Sequence, residues 1–325
     1  DVCSSDLPEI TSALSVHRRE VALLIGNGVN RYQQRRPRSW ACLLRALIRY
    51  LRLEHRFNHL RDLGNNGITL TEVYDLLGIL HDDDAVLRKA ESFICRWVQD
   101  WRAGDAHHSI VNCARQNNWP ILTTNFDLSL EKTWTCHPKP ARKAQAISRN
   151  GTPVFTHVYP WVCYYAPKHC AGNPTASFAI WHIHGFTHYP CSMRSGLSHY
   201  MGAVDKARPL IHPVAHRVWH PGQAHRIEYT WLDVFLRRKL LVIGLGLDEQ
   251  EVFLRWLLIQ RAKVIRKHAP AWRKLSGWYV HVLECNHKQS LPPNTRAFIE
   301  GVGLQYVELS TLAEAYYDLW AGSNS

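Results

Sequence analysis

The sequence lacks the cysteine pairs that build a structural zinc site. Its 325 residues include nine cysteines, and none of them form a C-x-x-C pair. Structural zinc modules usually take their ligands from such pairs, alone or together with histidines. Scattered cysteines in an odd number are typical of core residues in a reducing compartment. The sequence therefore predicts a cytoplasmic protein without a zinc module.

Long apolar runs are also missing. No stretch of about 18 or more uncharged apolar residues occurs, and residues 1–20 have no apolar segment of the kind found in a secretory signal. We therefore expect no membrane span. Residues 1–7 are polar and resemble a translated sequencing adapter. We expect residues 1–18 to be disordered or artefactual, and residues 19–325 to form the folded domain.

Positive charge, in contrast, is plentiful. The net charge is +12, and the chain has 20 histidines. A basic surface favours anionic partners such as nucleotides, nucleic acid or an acidic protein. The densest group of positive charges is formed by Arg31, Arg35, Arg36 and Arg38. This group is either a solvated loop, a guard for a phosphate site or a contact for nucleic acid, and the sequence leaves the three open.

Six short apolar runs have the character of strands that are buried on both faces. They lie at residues 20–25, 120–124, 177–183, 240–243, 278–283 and 305–309. Because helical stretches alternate with them, they predict an α/β fold with a Rossmann-like, doubly wound, mostly parallel six-stranded sheet. The region at about 40–118 contains too much amphipathic helix for a simple crossover. We therefore predict a helical insertion between the first and second strands.

Polar and small residues follow three of these runs. They are the segments Gly26-Asn27-Gly28, 123–127 (TTNFD) and His184-Gly185. Ligands of open α/β sheets bind beyond the carboxyl ends of the strands. If the three ends share one edge, then Gly26, Gly28, Asn125, Asp127 and His184 line one pocket.

Glycine pairs follow two of the strands. Gly26 and Gly28 would let the backbone turn tightly and approach a pyrophosphate, although position 31 is Arg, so that a full G-x-G-x-x-G is absent. Gly244 and Gly246 form a second pair at the end of the run at 240–243.

In their order and spacing these motifs resemble the sirtuin (silent information regulator) family, in particular its branch in bacterial anti-phage defence. The matching segments are 26–28 (GNG), 123–127 (TTNFD), 184–185 (HG), 192–200 (SMRSGLSHY) and 244–247 (GLGL). The resemblance covers roughly residues 20–310. It implies a Rossmann-type domain that binds NAD as its substrate and cleaves the nicotinamide–ribose bond.

The resemblance also implies roles for individual residues. Gly26 and Gly28 would line the pyrophosphate, and Gly244 and Gly246 would hold the other side of the dinucleotide. Asn125 would lie at the nicotinamide ribose, Asp127 at the carboxamide, and His184 would be the catalytic histidine. The further residues expected to bind NAD are Asn27, Asn30, Thr124 and, at the adenosine end, Asn286.

The chemistry suits these residue types. Nicotinamide is a cationic leaving group in NAD, so its departure needs no strong acid and leaves positive charge on the ribose, which hydrogen-bond acceptors stabilise. The Asn125 amide can hold a water or a ribose hydroxyl, and His184 can accept a proton near neutral pH. Asn125 and Asp127 could instead simply cap the helix that follows them.

Two departures from the family bear on the acceptor. The four-cysteine zinc module of the protein deacylases is absent, and the first loop has the sequence GNGVN where deacylases have GAGIS. Water is therefore the expected acceptor, so the expected reaction is hydrolysis of NAD to nicotinamide and ADP-ribose. The alternatives are an NAD-dependent protein deacylase and a non-catalytic sensor that binds ADP-ribose or nucleic acid.

The resemblance further implies control by a homo-oligomer or a partner protein, because bacterial members of this branch deplete NAD during phage infection. His182 and His184 are expected to share a strand face, since alternate residues of a strand point the same way. No C-x-x-C or carboxylate beside them in the sequence completes a metal site, and no metal is expected. His184, which precedes Gly185, is expected to be catalytic, and His182 to matter less.

Overall fold

A computed structural model gives the fold of the chain. It describes residues 5–32, 39–57, 68–81, 85–135, 137–139, 148–149, 152–153, 163–167, 173–214, 230–247, 251–268, 277–283 and 291–321.

The core of the fold is a six-stranded parallel sheet, which confirms the predicted α/β class. Its strands are β1 (Val21–Ile25), β2 (Ile121–Thr123), β3 (Ile180–His182), β4 (Lys239–Ile243), β5 (Gly277–Val282) and β6 (Gln305–Leu309). Their spatial order is β3-β2-β1-β4-β5-β6, and every pair is parallel. This is the strand order of Rossmann-like dinucleotide-binding domains.

The register of the sheet sets the position of the candidate site. Thr123 lies opposite Ile25 on one side and opposite His182 on the other. Ile25 also lies opposite Ile243 of β4. Four strands therefore end almost level with one another, and the residues that follow them emerge at the same edge of the sheet.

Helices connect the strands. They are α1 (Leu7–Val16), α2 (Gly28–Arg31), α3 (Trp40–Tyr50), α4 (Leu70–Leu80), α5 (Val86–Gln99), α6 (Asp105–Asn117), α7 (Leu197–Val214), α8 (Trp231–Arg237), α9 (Val252–His268), α10 (Pro293–Gly301) and α11 (Leu319–Ala321), with a π-helical turn at Glu314–Asp318 before α11. Short 3-10 helices lie at Glu54–Arg56, Glu131–Thr133 and Pro190–Ser192, and Ser148–Arg149 pairs antiparallel with Thr152–Pro153. Of the described helices, none is long and apolar enough to cross a bilayer.

The sheet is covered on both faces. Residues of α7–α10 pack on the face that carries Ala22 and Leu24, whereas residues of α1, α6 and α11 pack on the face of Leu23 and Ile25. The strands are buried on both sides, which explains why their sequences are continuous apolar runs and do not alternate.

The predicted helical insertion is present between β1 and β2, but it is shorter than expected. Apolar residues of α3, α4 and α5 form a separate cluster around Leu47, Leu77 and Ile94. Ser39 caps α3 by accepting from the Cys42 N–H, and Thr69 and Glu72 form a capping box at the start of α4. Helix α6, included in the predicted insertion at 40–118, packs instead on the sheet through Ile110, Val111 and Ala114.

The N-terminal segment differs from the expectation of disorder over residues 1–18. Residues 7–16 form α1, and its Ile10 and Leu14 are buried in the same cluster as Val307 of β6. Asp6 joins this packing, because its carboxylate accepts a hydrogen bond from the Glu308 N–H at 2.8 Å. Ile10 and Leu14 are four residues apart and lie on one helical face, beyond the adapter-like residues 1–7.

Candidate functional site

A cavity lies between the carboxyl edge of the sheet and the helical insertion. Its residues surround about 640 Å³ of space, a figure that includes open solvent at the mouth. It is lined by Asn27, Ser39, Trp40, Leu43, Val98, Trp101, Thr124, Asn125, Phe126, Asp127, His184, Arg194, Tyr200 and Glu251.

Five of the predicted site residues line this cavity: Asn27, Thr124, Asn125, Asp127 and His184. They come from the ends of three strands, as the register of the sheet requires. Gly26, Gly28, Asn30 and Gly244 are not among the residues that line it. Gly246, in the loop after β4, is exposed. Asn286 lies outside the described residues, as do Arg35, Arg36 and Arg38.

The two glycine loops hold each other. The Gly28 N–H donates to the Gly244 carbonyl at 2.8 Å. A Cβ on Gly26 would lie 2.3 Å from the Gly244 oxygen, and one on Gly28 would lie 2.6 Å from the Gly244 Cα. Glycine is therefore required here because two backbones meet, a reason that is independent of any pyrophosphate.

Asn125 is held from three sides in the loop after β2. Its side-chain Nδ2 donates to the Gly26 carbonyl at 3.2 Å, and its backbone N–H donates to the Thr123 hydroxyl at 3.1 Å. Its backbone carbonyl accepts a hydrogen bond from His182 Nδ1 at 2.7 Å. These contacts fix an amide side chain at the cavity wall, with its position set by β1, β2 and β3 together.

His182 belongs to a closed ion pair behind this loop. Its Nε2 lies 2.8 Å from Glu131 Oε1, and the two side chains are 1% and 0% exposed. Burial disfavours the imidazolium, but the Glu131 charge and its hydrogen bond favour it more, so the pKa of His182 is raised. With one nitrogen on the Asn125 carbonyl and the other on a carboxylate, His182 has a structural role.

His184 faces the opposite way, which makes the prediction of a shared face wrong. Strand β3 ends at His182, and the chain turns at 183–184. The His182 ring packs near Tyr165 and Phe186 on one face of the sheet. The His184 ring packs near Tyr200 and Phe253 on the other face. The two-residue period that motivated the expectation does not extend past the end of the strand.

The His184 ring is buried but loosely held. Its Nε2 lies 3.4 Å from Glu251 Oε2, and the side chain is 3% exposed. Among the described residues, its buried Nδ1 has no hydrogen-bond partner. An imidazole of this kind at a cavity wall can accept a proton from a ligand, because its nitrogens are not committed to strong internal bonds.

Gly185 allows the turn that presents His184. Its φ is +84°, and a Cβ there would lie 2.3 Å from the Ser192 carbonyl oxygen. The Ser192 hydroxyl in turn accepts from the Phe186 N–H, and the His184 carbonyl accepts from the Arg194 N–H at 2.8 Å. The segment 192–194 therefore supports the backbone on both sides of His184.

Asp127 is the end of a buried hydrogen-bond chain. Its Oδ1 accepts from the Ser129 N–H at 2.9 Å, and its Oδ2 accepts from Asn30 Nδ2 at 2.7 Å. The bond to Ser129 lies in the turn before the next helix, which begins at Glu131 without a side-chain cap, so Asp127 does not cap that helix. Asn30 Nδ2 also lies 3.0 Å from Asn27 Oδ1, and Asn30 Oδ1 lies 2.9 Å from His107 Nε2. Asp127 thus lines the cavity and also anchors the loop after β2.

The helical insertion forms an apolar wall of the cavity, which the sequence motifs do not predict. Trp40, Leu43, Val98 and Trp101 of the insertion face the cavity, beside Phe126. The Trp40 and Phe126 rings lie 5.8 Å apart in an edge-to-face arrangement. The cavity is therefore polar where it meets the sheet and aromatic where it meets the insertion.

Two charged residues of the site were also missed. Arg194 is buried to 7% exposure and lines the cavity, and it contributes with burial to lowering the pKa of His199. Glu251 faces His184 from the start of α9. Arg194 lies within the 192–200 motif, but no local sequence pattern indicates that it and Glu251 face the same cavity.

The described residues contain no cluster of three or more histidine, cysteine or carboxylate side chains able to hold a metal ion. No protein-family model matches the chain, and no curated protein matches it. The family resemblance therefore rests on the motifs of the sequence.

Proposed function

We propose that the protein hydrolyses NAD to nicotinamide and ADP-ribose. The observation that supports this most is the convergence of Asn125 and His184 in one cavity at the carboxyl edge of a sheet with Rossmann strand order. This edge is where open α/β sheets bind nucleotides. The resemblance to the sirtuin family supplies the substrate.

The cavity supports the reaction through its two unlike sides. The aromatic wall of Trp40, Trp101 and Phe126 suits a planar nicotinamide ring. The polar side carries amide and carboxylate oxygens, which stabilise the positive charge that develops on the ribose. In this reading His184 takes the proton of the attacking water while Asn125 orients the water or a ribose hydroxyl.

Water is the proposed acceptor. The chain has no four-cysteine zinc module in its sequence, which separates it from protein deacylases of the family it resembles. In the overall reaction one water adds across the nicotinamide–ribose bond, the hydroxyl joins the ribose, and one proton is released. A role in depleting NAD during anti-phage defence in the bacterial cytoplasm is part of this proposal.

We propose further that a homo-oligomer or a partner protein controls the activity, because an unrestrained NAD hydrolase would harm its host. Several large apolar side chains of the insertion are exposed, among them Tyr50 at 47%, Ile79 at 75% and Trp97 at 38%. Such side chains favour contacts with another protein surface. Light scattering with the NAD assay over a range of protein concentrations tests this; a monomer with constant specific activity would contradict it.

The test of the reaction uses NAD alone, NAD with an acetylated peptide, and ADP-ribose alone. The proposal expects nicotinamide and ADP-ribose from NAD without peptide. Turnover only with peptide would favour a deacylase, and tight ADP-ribose binding without turnover would favour a sensor. Arg296→Gln is a suitable control variant, since Arg296 is exposed and its partner is Glu300, neither of which lines the cavity.

A further inference from the structure

We propose that His107 is a positioning residue for the candidate site, although it lies behind the cavity wall. It orients Asn30, and through Asn30 it holds both Asn27 and Asp127, which line the cavity. Its kinetic readout rests on the proposed NAD hydrolysis, but its structural readout does not.

The direction of the hydrogen-bond chain follows from its first member. The Gly104 backbone N–H lies 3.1 Å from His107 Nδ1. A backbone amide can only donate, so Nδ1 must be the acceptor and the proton of the neutral ring must be on Nε2. His107 Nε2 then donates to Asn30 Oδ1 at 2.9 Å.

The orientation of Asn30 is the consequence. With Oδ1 occupied by His107, Nδ2 points to Asp127 Oδ2 at 2.7 Å and to Asn27 Oδ1 at 3.0 Å. If the Asn30 amide were flipped, its oxygen would face the Asp127 carboxylate, and two acceptors would meet in a buried site. The His107 proton and the Asp127 carboxylate therefore favour the same orientation of the Asn30 amide, and His107 is the donor that holds its oxygen.

Because these side chains are buried, the loss of one hydrogen-bond partner would leave a polar group unsatisfied. Asn30 is 0% and His107 is 1% exposed, so water cannot replace a lost partner without rearrangement. The three residues also come from distant parts of the chain, since His107 is 77 residues and Asp127 is 97 residues from Asn30. The chain thus joins the start of α6, the short helix α2 and the loop after β2.

A structural role in capping α6 explains only one of the two ring nitrogens. His107 Nδ1 accepts from Gly104 at the start of α6, which satisfies the end of the helix. The Nε2 contact with Asn30 adds nothing to that cap. The two functions can therefore be separated by substitution.

His107→Asn and His107→Gln are the matched pair of variants. Asparagine places its oxygen near the position of Nδ1 and can cap α6, but it is too short to reach Asn30. Glutamine places an amide nitrogen near the position of Nε2 and can still donate to Asn30. Comparable thermal stability of the two variants would show that a difference in kcat between them does not come from a loss of folded protein.

We expect His107→Gln to keep kcat within about fivefold of the wild type and His107→Asn to lower kcat about 10- to 100-fold, the size of effect that a small misplacement of reacting groups produces. KM should change less than kcat. Equal kcat in the two variants, or a loss that only follows the fraction of folded protein, would overturn the proposal.

A second readout does not depend on activity. In NMR spectra of the ligand-free protein, the Asn30 side-chain amide protons should be protected from exchange in the wild type and in His107→Gln, and should lose protection in His107→Asn. Unchanged protection in His107→Asn would overturn the inference. If the wild type releases no nicotinamide but the protection changes as expected, the proposed function fails and the role of His107 stands.

Discussion

At the end of β3, His182 and His184 lie on opposite faces of the sheet and differ in how firmly their rings are held. On one face His182 is closed between the Asn125 carbonyl and Glu131, with distances of 2.7 and 2.8 Å. On the other face His184 is 3.4 Å from Glu251 and borders a cavity. A histidine whose nitrogens are both committed serves the fold, whereas one that is loosely held beside a cavity is available for chemistry.

The largest expected effect is a loss of activity on the face of the sheet that carries His184. His184→Ala removes the proposed proton acceptor, and Asn125→Ala removes the group that orients the water or ribose. General acid–base groups typically contribute about 10²- to 10⁴-fold, so either variant should lower nicotinamide release by that factor. Direct measurement of NAD consumption tests this.

The folded state should survive the His184 change, because its ring is not part of a tight internal pair. A thermal melt of each variant separates loss of chemistry from loss of structure. Wild-type rates in His184→Ala would remove this histidine from the reaction.

Substitution of His182, on the opposite face, should lower the stability of the fold. His182→Ala leaves the Glu131 carboxylate buried at 0% exposure without its cation. Breaking a buried pair in this way typically costs about 3–5 kcal/mol in the free energy of unfolding. Denaturant unfolding of the variant measures it.

A double variant, His182→Gln with Glu131→Gln, is the control, since it removes both charges and keeps a side chain of similar size at each position. It should be less destabilised than His182→Ala. A loss below about 1 kcal/mol in His182→Ala would contradict the assignment of His182 to the fold. The activities of His182→Ala and His184→Ala should therefore be compared only after the loss of stability in His182→Ala has been measured.

The strands and the polar side of the cavity are predictable from the sequence, whereas the apolar wall of the cavity and the buried pairs are not. The strands were predictable because burial on both faces makes them continuous apolar runs, as in β1 and β4. The polar side of the cavity was predictable from strand ends, because parallel strands that pair in register end at one edge. Asn125 and His184 belong to this predictable part of the site.

The remainder depends on contacts between distant segments. Trp40 and Trp101 looked like ordinary core residues of amphipathic helices, and no local pattern indicated that the insertion folds over the sheet edge. His107 and Glu131 likewise gain their meaning from partners that are 77 and 51 residues away. The opposite orientations of His182 and His184 depended on where β3 ends, and strand boundaries are the least predictable feature of a sequence.

A pH dependence of stability sharpens the comparison further. The pKa of His182 in the folded protein is raised above its ordinary value of 6.5. The stabilisation it contributes is therefore complete below about pH 6.5 and is lost as the pH rises through the folded-state pKa. Between those two values the free energy of unfolding should fall by up to about 1.4 kcal/mol per pH unit.

The matching variant is His182→Gln, which keeps a donor for Glu131 but does not titrate. Urea unfolding from pH 6 to 9 should give a steeper decline for the wild type than for this variant. Parallel curves would show that His182 does not hold its extra proton over this range.

The smallest expected effect concerns Glu251. Its side chain is 24% exposed, and its distance of 3.4 Å to His184 Nε2 is long for a hydrogen bond between charged groups. Solvent screens such a pair, and partly exposed pairs contribute about 1 kcal/mol or less. Glu251→Gln keeps an oxygen in the same place and removes only the charge, so nicotinamide release should fall less than about tenfold. In Glu251→Ala, which removes the oxygen as well, the rate of nicotinamide release should fall a few-fold further if the contact orients the His184 ring. A loss of about 100-fold or more in Glu251→Gln would mean that His184 and Glu251 act as a committed pair, and the contrast with His182 and Glu131 would then be one of burial alone.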